Sequence, residues 1–302
     1  MRQLTVLCRT ATTFASDKSV DEEALEQFLE RLVTNGHGLY LGSGGSGEGH
    51  ALSIGELERV YRAGVRVARG KVQANANIPE QHTAANTLMH AEAAIRAGVD
   101  VINLYGPTGW HGYRPTDDEV EAYFDAIISQ IRHPVALAPN PVVGYTLEPR
   151  QIARVCDKYR QVVAVNLAGL AEDYFLALMN LLQRDVEVYV PFQASLETLS
   201  LGATGLLGAE ANILPATFRR YLDAYSRGDF GLAAQTYSEL MIFSEYVKHW
   251  QTASPRWIKM AMTVLALPGA AGGVRAPYVD ACQEELSRFE AGLRQLGVVE
   301  IS

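Results

Sequence analysis

The sequence predicts a (β/α)₈ barrel of the TIM type, class α/β, with a C-terminal α-helical extension. Three observations predict it. Eight short apolar runs recur along the chain, longer amphipathic stretches separate them, and glycine or asparagine-glycine marks the turns between the two. Strands buried on both faces read as apolar runs rather than as strict alternation. Eight of them, each followed by a helix, favour a closed parallel barrel over an open sheet.

The runs are residues 4–9 (LTVLCR), 38–42 (GLYLG), 71–76 (KVQANA), 99–105 (VDVINLY), 134–138 (PVALA), 161–166 (QVVAVN), 186–192 (VEVYVPF) and 204–209 (TGLLGA). Between them, Ser19-Val-Asp-Glu22, Ser53-Ile-Gly-Glu56 and Thr116-Asp-Asp-Glu119 read as capping boxes. In such a box a hydroxyl and a carboxylate reciprocally satisfy the first free N–H groups of a helix. Asn35-Gly36, Gly64 and Gly98 read as helix stops. After the eighth run, residues 214–297 read as successive helices separated by Asp229, Pro255 and the Leu267-Pro-Gly-Ala-Ala-Gly-Gly-Val loop. The expected division is a barrel over residues 1–213 and a helical region over 214–302 packed on it.

Composition narrows the function. The chain has 302 residues, 48% hydrophobic and 20% charged, with a net charge of −8 and a pI near 5.4. An acidic balance excludes the basic footprint of a nucleic-acid partner. Three cysteines, Cys8, Cys156 and Cys282, have neither the number nor the spacing of a disulfide framework or zinc site. No signal-like apolar segment opens the chain, and no run approaches the ~20 residues of a membrane span. The expectation is a cytoplasmic enzyme without nucleic-acid or membrane partners.

Gly42-Ser-Gly44-Gly-Ser-Gly47 follows a strand and matches GxGxxG. A dinucleotide fingerprint also needs an acid at the end of the next strand, and Ala74-Asn75-Ala76 has none; nor does a lysine close the loop as in a Walker A motif. What remains is a nest of backbone N–H groups ahead of a helix, suited to a carboxylate or phosphate, or else a plain glycine turn.

Gly44-Gly45-Ser46-Gly47-Glu48, with Glu56 beyond it, resembles the G-T-T-G-E motif of the dihydrodipicolinate synthase / N-acetylneuraminate lyase family. Gly98-Val-Asp resembles its G-A-D, Tyr113-Arg114-Pro115 its N-R-P, Leu201-Gly202-Ala-Thr-Gly205 through Glu210-Ala-Asn212 its L-G-G-x-G…A-N, and Gly273-Val-Arg275-Ala-Pro277 its C-terminal R-x-P. Any one match is weak; the ordered set, from about residue 5 to 297, is specific. The resemblance implies a barrel with a C-terminal helical region, commonly a homotetramer. It implies aldol or dehydration chemistry on pyruvate-like 2-oxo acids. A lysine at the end of the sixth strand forms the imine, a tyrosine in Y-N-x-P relays protons, and the second-strand loop holds the carboxylate.

This sequence departs from that pattern at the chemistry. The family's I-I-G-I-K-E-A-T-G corresponds to Val162-Val-Ala-Val-Asn166-Leu-Ala-Gly, with Asn166 in the lysine's place. An amide nitrogen is not a nucleophile. Of the five lysines, Lys18, Lys71, Lys158, Lys248 and Lys259, none is expected in the mouth. Leu137-Ala138-Pro139-Asn140-Pro141 puts Ala138 in the tyrosine's place, Val142 and Val143 stand where several relatives have an arginine, and Gly45 replaces one threonine. Tyr145 is a possible entrant to the mouth or a packed surface residue.

Active sites of such barrels lie at the C-terminal strand ends. Those ends supply Ser46, Glu48, Asn75, Asn77, Tyr105, Asn140, Asn166, Gln193 and Glu210. The catalytic candidates are Glu210, His111, Tyr105 and Asn166. The substrate-binding candidates are Gly45, Ser46, Gly47, Glu48, Asn140, Asn166 and Gln193. Glu48 has a competing role as an acceptor for loop amides. Trp110 and Tyr113 have one at a subunit interface. Lacking HxxxH or HxH spacing, the chain is expected to use no metal and no cofactor. The expected function is a lyase-like enzyme for a small carboxylate, working as a dimer or tetramer without an imine. The rival is a barrel that binds a carboxylate and has lost the chemistry.

Overall fold

The computed structural model describes residues 4–250 and 255–301. Eight parallel strands form a closed barrel, β1 (Val6–Arg9), β2 (Gly38–Leu41), β3 (Ala74–Asn77), β4 (Val101–Tyr105), β5 (Val135–Ala138), β6 (Val162–Asn166), β7 (Glu187–Pro191) and β8 (Gly205–Gly208). Closure comes from β1 pairing with β8 as well as with β2. Seven strands fall within their apolar runs, trimmed at one or both ends, and β3 overlaps its run but extends one residue past it to Asn77. The third run shifts most. Lys71 stays in the preceding turn, and the strand starts at Ala74, whose N–H is taken by the Asp100 carboxylate at 2.8 Å.

The helices of the ring are α1 (Glu22–Thr34), α2 (Ile54–Ala68), α3 (Ala84–Ala97), α4 (Asp117–Ile128), α5 (Pro149–Lys158), α6 (Glu172–Leu181), the one-turn α7 (Ser195–Thr198) and α8 (Pro215–Ser226). Three more follow, α9 (Phe230–Lys248), α10 (Arg256–Val264) and α11 (Gln283–Gln295), and no strand lies among the described residues after β8. The helix of the eighth βα unit is thus α8, so the helices added to the ring begin with α9. Asp229 caps α9 through its side chain, and Pro255 precedes α10.

Two of the three capping boxes form. Ser53 and Glu56 close one at α2, and Thr116 and Glu119 close one at α4. The Ser19–Glu22 box does not. Asp21 caps α1 by accepting from Ala24 N, and Ser19 bonds Asp17 instead. The aspartate lies one residue before the helix and is the better-placed acceptor. Gly98 ends α3 at φ 83°, in the left-handed region. Gly64 does not end α2. It lies inside the helix, where a Cβ would come 2.3 Å from the Leu41 side chain. The glycine serves close helix–strand approach, and α2 continues to a left-handed Arg69.

Alternate strand residues point inward. Leu7, Val101, Ala136, Ala164, Tyr189 and Leu207 form an apolar plug within the barrel. Outside it, Phe28, Phe124, Phe175, Phe218 and Tyr221 fill the space under the helices, all buried. Truncating any one of them to alanine is worth about 3–5 kcal/mol.

His37, fully buried before β2, joins the barrel to α8. Its Nε2–H donates to the Pro215 carbonyl at 2.7 Å. Burial pushes its pKa down to about 4 from 6.5. The unfolded chain therefore takes up a proton near pH 6.5, and the folded one only near pH 4. Stability carried by this residue is complete above pH 6.5 and is lost as the pH falls toward 4, by roughly 3 kcal/mol. Denaturant titrations of native protein and His37→Gln between pH 7 and 4 are expected to converge as the pH falls. Parallel curves would remove His37 from the acid response.

Candidate active site

At the C-terminal end of the barrel lies a cavity of about 460 Å³. That size suits a small ligand. Its wall is built from strand ends and the loops after them. Arg9 comes from β1, Tyr40 from β2, and Ser43 to Ser46 and His50 from the loop after β2. Glu80 follows β3, Tyr105 ends β4, Asn140, Pro141 and Val142 follow β5, Asn166 ends β6, and Leu207 and Ala209 come from β8. Tyr278, between α10 and α11, closes one side. Of the substrate-binding candidates, Gly45, Ser46, Asn140 and Asn166 meet here, as do the catalytic candidates Tyr105 and Asn166.

The other candidates lie elsewhere, each for a physical reason. Ala209 faces the cavity, so alternation turns Glu210 toward the helices. There its Oε1 accepts from Ser244 of α9 at 3.1 Å and from Gln193 at 3.5 Å. Gln193 is thereby held behind the wall too. Nearby Asn212 clasps β1 to β8 by accepting from Ala11 N and donating to the Arg9 carbonyl. His111 sits exposed at φ 55° on a one-turn helix, beside Trp110, which stacks on His82 with ring centroids 5.3 Å apart. Tyr145 is buried under the β4 loop and donates to the Pro107 carbonyl at 2.6 Å.

Glu48 also leaves the mouth. Its backbone is left-handed at φ 54°, and this swings the carboxylate under the loop. Its Oε2 accepts from Arg275 N at 2.7 Å, and Oε1 lies 3.9 Å from the Lys259 ammonium. Burial raises the Glu48 pKa and lowers that of Lys259 to about 8, so desolvation outweighs the loose pairing for both. Arg275 then reaches Glu56 and the carbonyls of Lys18 and Ala51. The R-x-P segment is the strap that joins the C-terminal helices to this loop.

The loop itself is shaped by close approach. Gly47 N–H donates to the Ser43 carbonyl and hydroxyl, and a Cβ on Gly49 would stand 1.9 Å from the Gly42 carbonyl oxygen. Gly47 therefore spends its N–H inside the loop and does not line the cavity. No described group accepts from the N–H groups of Gly45 and Ser46 or from the Ser46 hydroxyl. Those three donors at the rim are left free for a ligand.

Inside the barrel, three asparagines form an amide ladder. Asn166 Nδ2 donates to Asn103 Oδ1 at 2.8 Å, and Asn103 Nδ2 donates to Asn77 Oδ1 at 3.1 Å. The first step crosses from β6 to β4, over β5. It is possible because β5 presents only Ala136 and Ala138. Ala138 and Asn166 are thus structurally coupled. Five buried polar atoms of this region have no partner: Arg9 Nε, Asn75 Oδ1, Asn77 Nδ2, Asn140 Oδ1 and Asn166 Oδ1. Each such atom costs about 1–3 kcal/mol when left unpaired. Three of them, on Arg9, Asn140 and Asn166, belong to residues that line the cavity, where a polar ligand would pair them.

Two residues missed in the sequence supply the charge. Arg9, the last residue of β1, has no described residue within ion-pair distance and no acceptor for its guanidinium. Glu80 lines the cavity with no cation bonded to it, and burial raises its pKa. The hydroxyls of Tyr40 and Tyr105 feel both Arg9 and Glu80, and burial holds both well above the ordinary phenol range. His50 donates Nδ1–H to the Gly44 carbonyl at 2.9 Å, leaving Nε2 as the basic nitrogen. A charged residue at the C-terminal end of an apolar strand was the signal for Arg9. Glu80 is three residues past a strand end and carried no comparable signal. Among the described residues no cluster of metal-ligating side chains occurs, and no lysine lines the cavity.

Comparison with known proteins places these features. The profile described as the dihydrodipicolinate synthetase family matches residues 3–296. The 4-hydroxy-tetrahydrodipicolinate synthase of Methanococcus maripaludis strain C7 is 25% identical over 290 residues, covering 94% of this chain and 96% of its own. That of Methanocaldococcus jannaschii is 26% identical over 293 residues, covering 94% and 95%. Among solved structures, YagE of E. coli K12, a prophage protein of the dihydrodipicolinic acid synthase family in complex with pyruvate, superposes with a TM-score of 0.87. It is 19% identical, with coverage of 98% and 99%. A putative dihydrodipicolinate synthetase from Pseudomonas aeruginosa gives 0.86 at 23% identity, covering 97% and 99%. At these identities the structural likeness speaks for the fold alone.

Proposed function

The chain belongs to the dihydrodipicolinate synthetase family, and on that premise we propose that it is a carbon–carbon or carbon–oxygen lyase-like enzyme acting on a small 2-oxo acid or related carboxylate without an imine at position 166. The observation that carries this reading is Asn166 at the end of β6, its amide nitrogen already donated to Asn103, in a cavity that no lysine lines.

The remaining groups suffice for chemistry of another kind. The substrate carboxylate is held by Arg9 and by the Gly45 and Ser46 donors. Glu80, its pKa raised by burial, exchanges the proton at the carbon next to the polarised centre. Arg9 and the loop N–H groups oppose the negative charge that develops there. Tyr105 and Asn166 keep their proposed places in the site. Glu210 and His111 give up the proton-transfer role to Glu80, and Glu48 and Gln193 act as supports. The two α-helical and barrel parts, 1–213 and 214–302, are proposed to work as one unit in a cytoplasmic homo-oligomer, dimer or tetramer. No helix among the described residues is long and apolar enough to cross a membrane.

A turnover screen with pyruvate plus aldehydes, and with hydroxylated acids, tests the reading. Turnover is expected in at least one pairing, falling about 100-fold or more in Glu80→Gln. Saturable carboxylate binding without turnover in any pairing would favour the rival, a barrel that binds and does not react. The absence of both the imine lysine and the Y-N-x-P tyrosine gives that rival its footing.

A further inference from the structure

At position 166 the amide ladder sets a polarity. Asn166 lines the cavity wall and is 1% exposed; its Nδ2 is spent on Asn103, so the atom left without a partner is the enclosed carbonyl oxygen Oδ1. Asn140, 3% exposed, lines the same cavity and also holds an unpartnered Oδ1, while its amide lies against the Tyr105 hydroxyl. Two buried orphan acceptors therefore stand in the cavity wall at neighbouring strand ends. A 2-oxo acid brings only acceptors. Its carbonyl oxygen against either Oδ1 would place lone pair on lone pair and leave both atoms unpaired.

We propose that the ligand this cavity selects is a 2-hydroxy carboxylate, its carboxylate on Arg9 and the rim donors and its hydroxyl hydrogen given to Asn166 Oδ1. This rests on the reading of the cavity as the active site and names the substrate class within it. Arg9 is the second half of the recognition. It is a cation with no described counter-ion, its Nε is buried and unpartnered, and it stands between β8 and β2 where an anionic group would complete it. The class suits an elimination. Loss of the C3 hydroxyl from a 2,3-dihydroxy acid, with the C2 proton taken by the Glu80 carboxylate and passed on to the departing C3 oxygen so that it leaves as water, yields an enol that becomes a 2-oxo acid. No oxidant or cofactor enters that balance.

The test is calorimetric titration of the native protein with matched pairs, lactate against pyruvate and glycerate against hydroxypyruvate. The hydroxy member is expected to bind about tenfold more tightly in each pair, the worth of one well-made hydrogen bond. Asn166→Leu is expected to erase that preference. Arg9→Met is expected to weaken both members tenfold or more while leaving their ratio unchanged. Equal or tighter binding of the 2-oxo acids by the native protein would overturn the proposal, since it would mean that the amide ladder runs the other way and presents Nδ2–H. This comparison needs no variant, so a misfolded Asn166→Leu does not decide it. If the native protein binds no member of either pair, the cavity is not a carboxylate site, and the broader reading falls together with this one. If it binds the 2-oxo acids better, only this one falls.

Discussion

Incubation of the native protein with pyruvate and borohydride is expected to leave its intact mass unchanged, whereas Asn166→Lys is expected to gain one stoichiometric adduct. Imine formation needs a neutral amine within reach of the carbonyl carbon, which then loses the carbonyl oxygen as water; hydride reduces the C=N bond and locks the adduct. In the native chain the five lysines all lie outside the cavity. Lys259 is the one buried cation among them whose pKa is depressed, to about 8, but it points at the Thr12 carbonyl and Glu48 beneath the loop. A lysine at 166 would stand in the cavity wall. Burial there would lower its pKa and favour the neutral amine. The variant loses the Asn166–Asn103 bond, so its fold is to be checked by circular dichroism alongside. A site-specific adduct on the native protein, mapped by peptide mass to a lysine facing the cavity, would refute the imine-free reading outright.

Replacing Glu48 by alanine is expected to destabilise the protein by about 3 kcal/mol or more, a fall of roughly 5–10 °C in Tm, without abolishing carboxylate binding below the transition. The carboxylate is fully buried, accepts from Arg275 N, and is the nearest negative charge to Lys259. Removing it strands a buried cation and an amide together. Glu48→Gln retains an acceptor for Arg275 N and is expected to cost less than alanine. Thermal unfolding gives the order, and titration with the preferred carboxylate separates the two possible roles. Unchanged stability with lost binding would return Glu48 to the substrate site.

Much of the barrel was legible in the sequence because its signals are local. A strand buried on both faces must be apolar, and a helix start must satisfy free N–H groups, so the eight runs and the Ser53 and Thr116 boxes stand in the structure as read. The errors were local too. Asp21 outcompetes Ser19 as a cap by lying two residues nearer the helix, and Gly64 is small because Leu41 presses on it rather than because the chain turns. Ser46, Tyr105, Asn140 and Asn166, named by position at strand ends, line the cavity. Glu48, Gln193 and Glu210 were placed in the mouth by the same logic, yet they turn away from it.

The family, the barrel and the asparagine at position 166 are determined by the sequence alone, since residue type and order suffice for them. Which way a carboxylate or an amide faces is not. Glu210 points to Ser244 because Ala209 took the inward place, and Glu48 points to Lys259 because its own backbone is left-handed. Asn166 presents an acceptor because Ala136 and Ala138 let it reach Asn103 across a strand. Arg9 and Glu80 meet at one cavity although 71 positions separate them in the chain. These are consequences of long-range packing and of burial, which assigns every polar group a partner or leaves it without one. Only the tertiary structure could decide them.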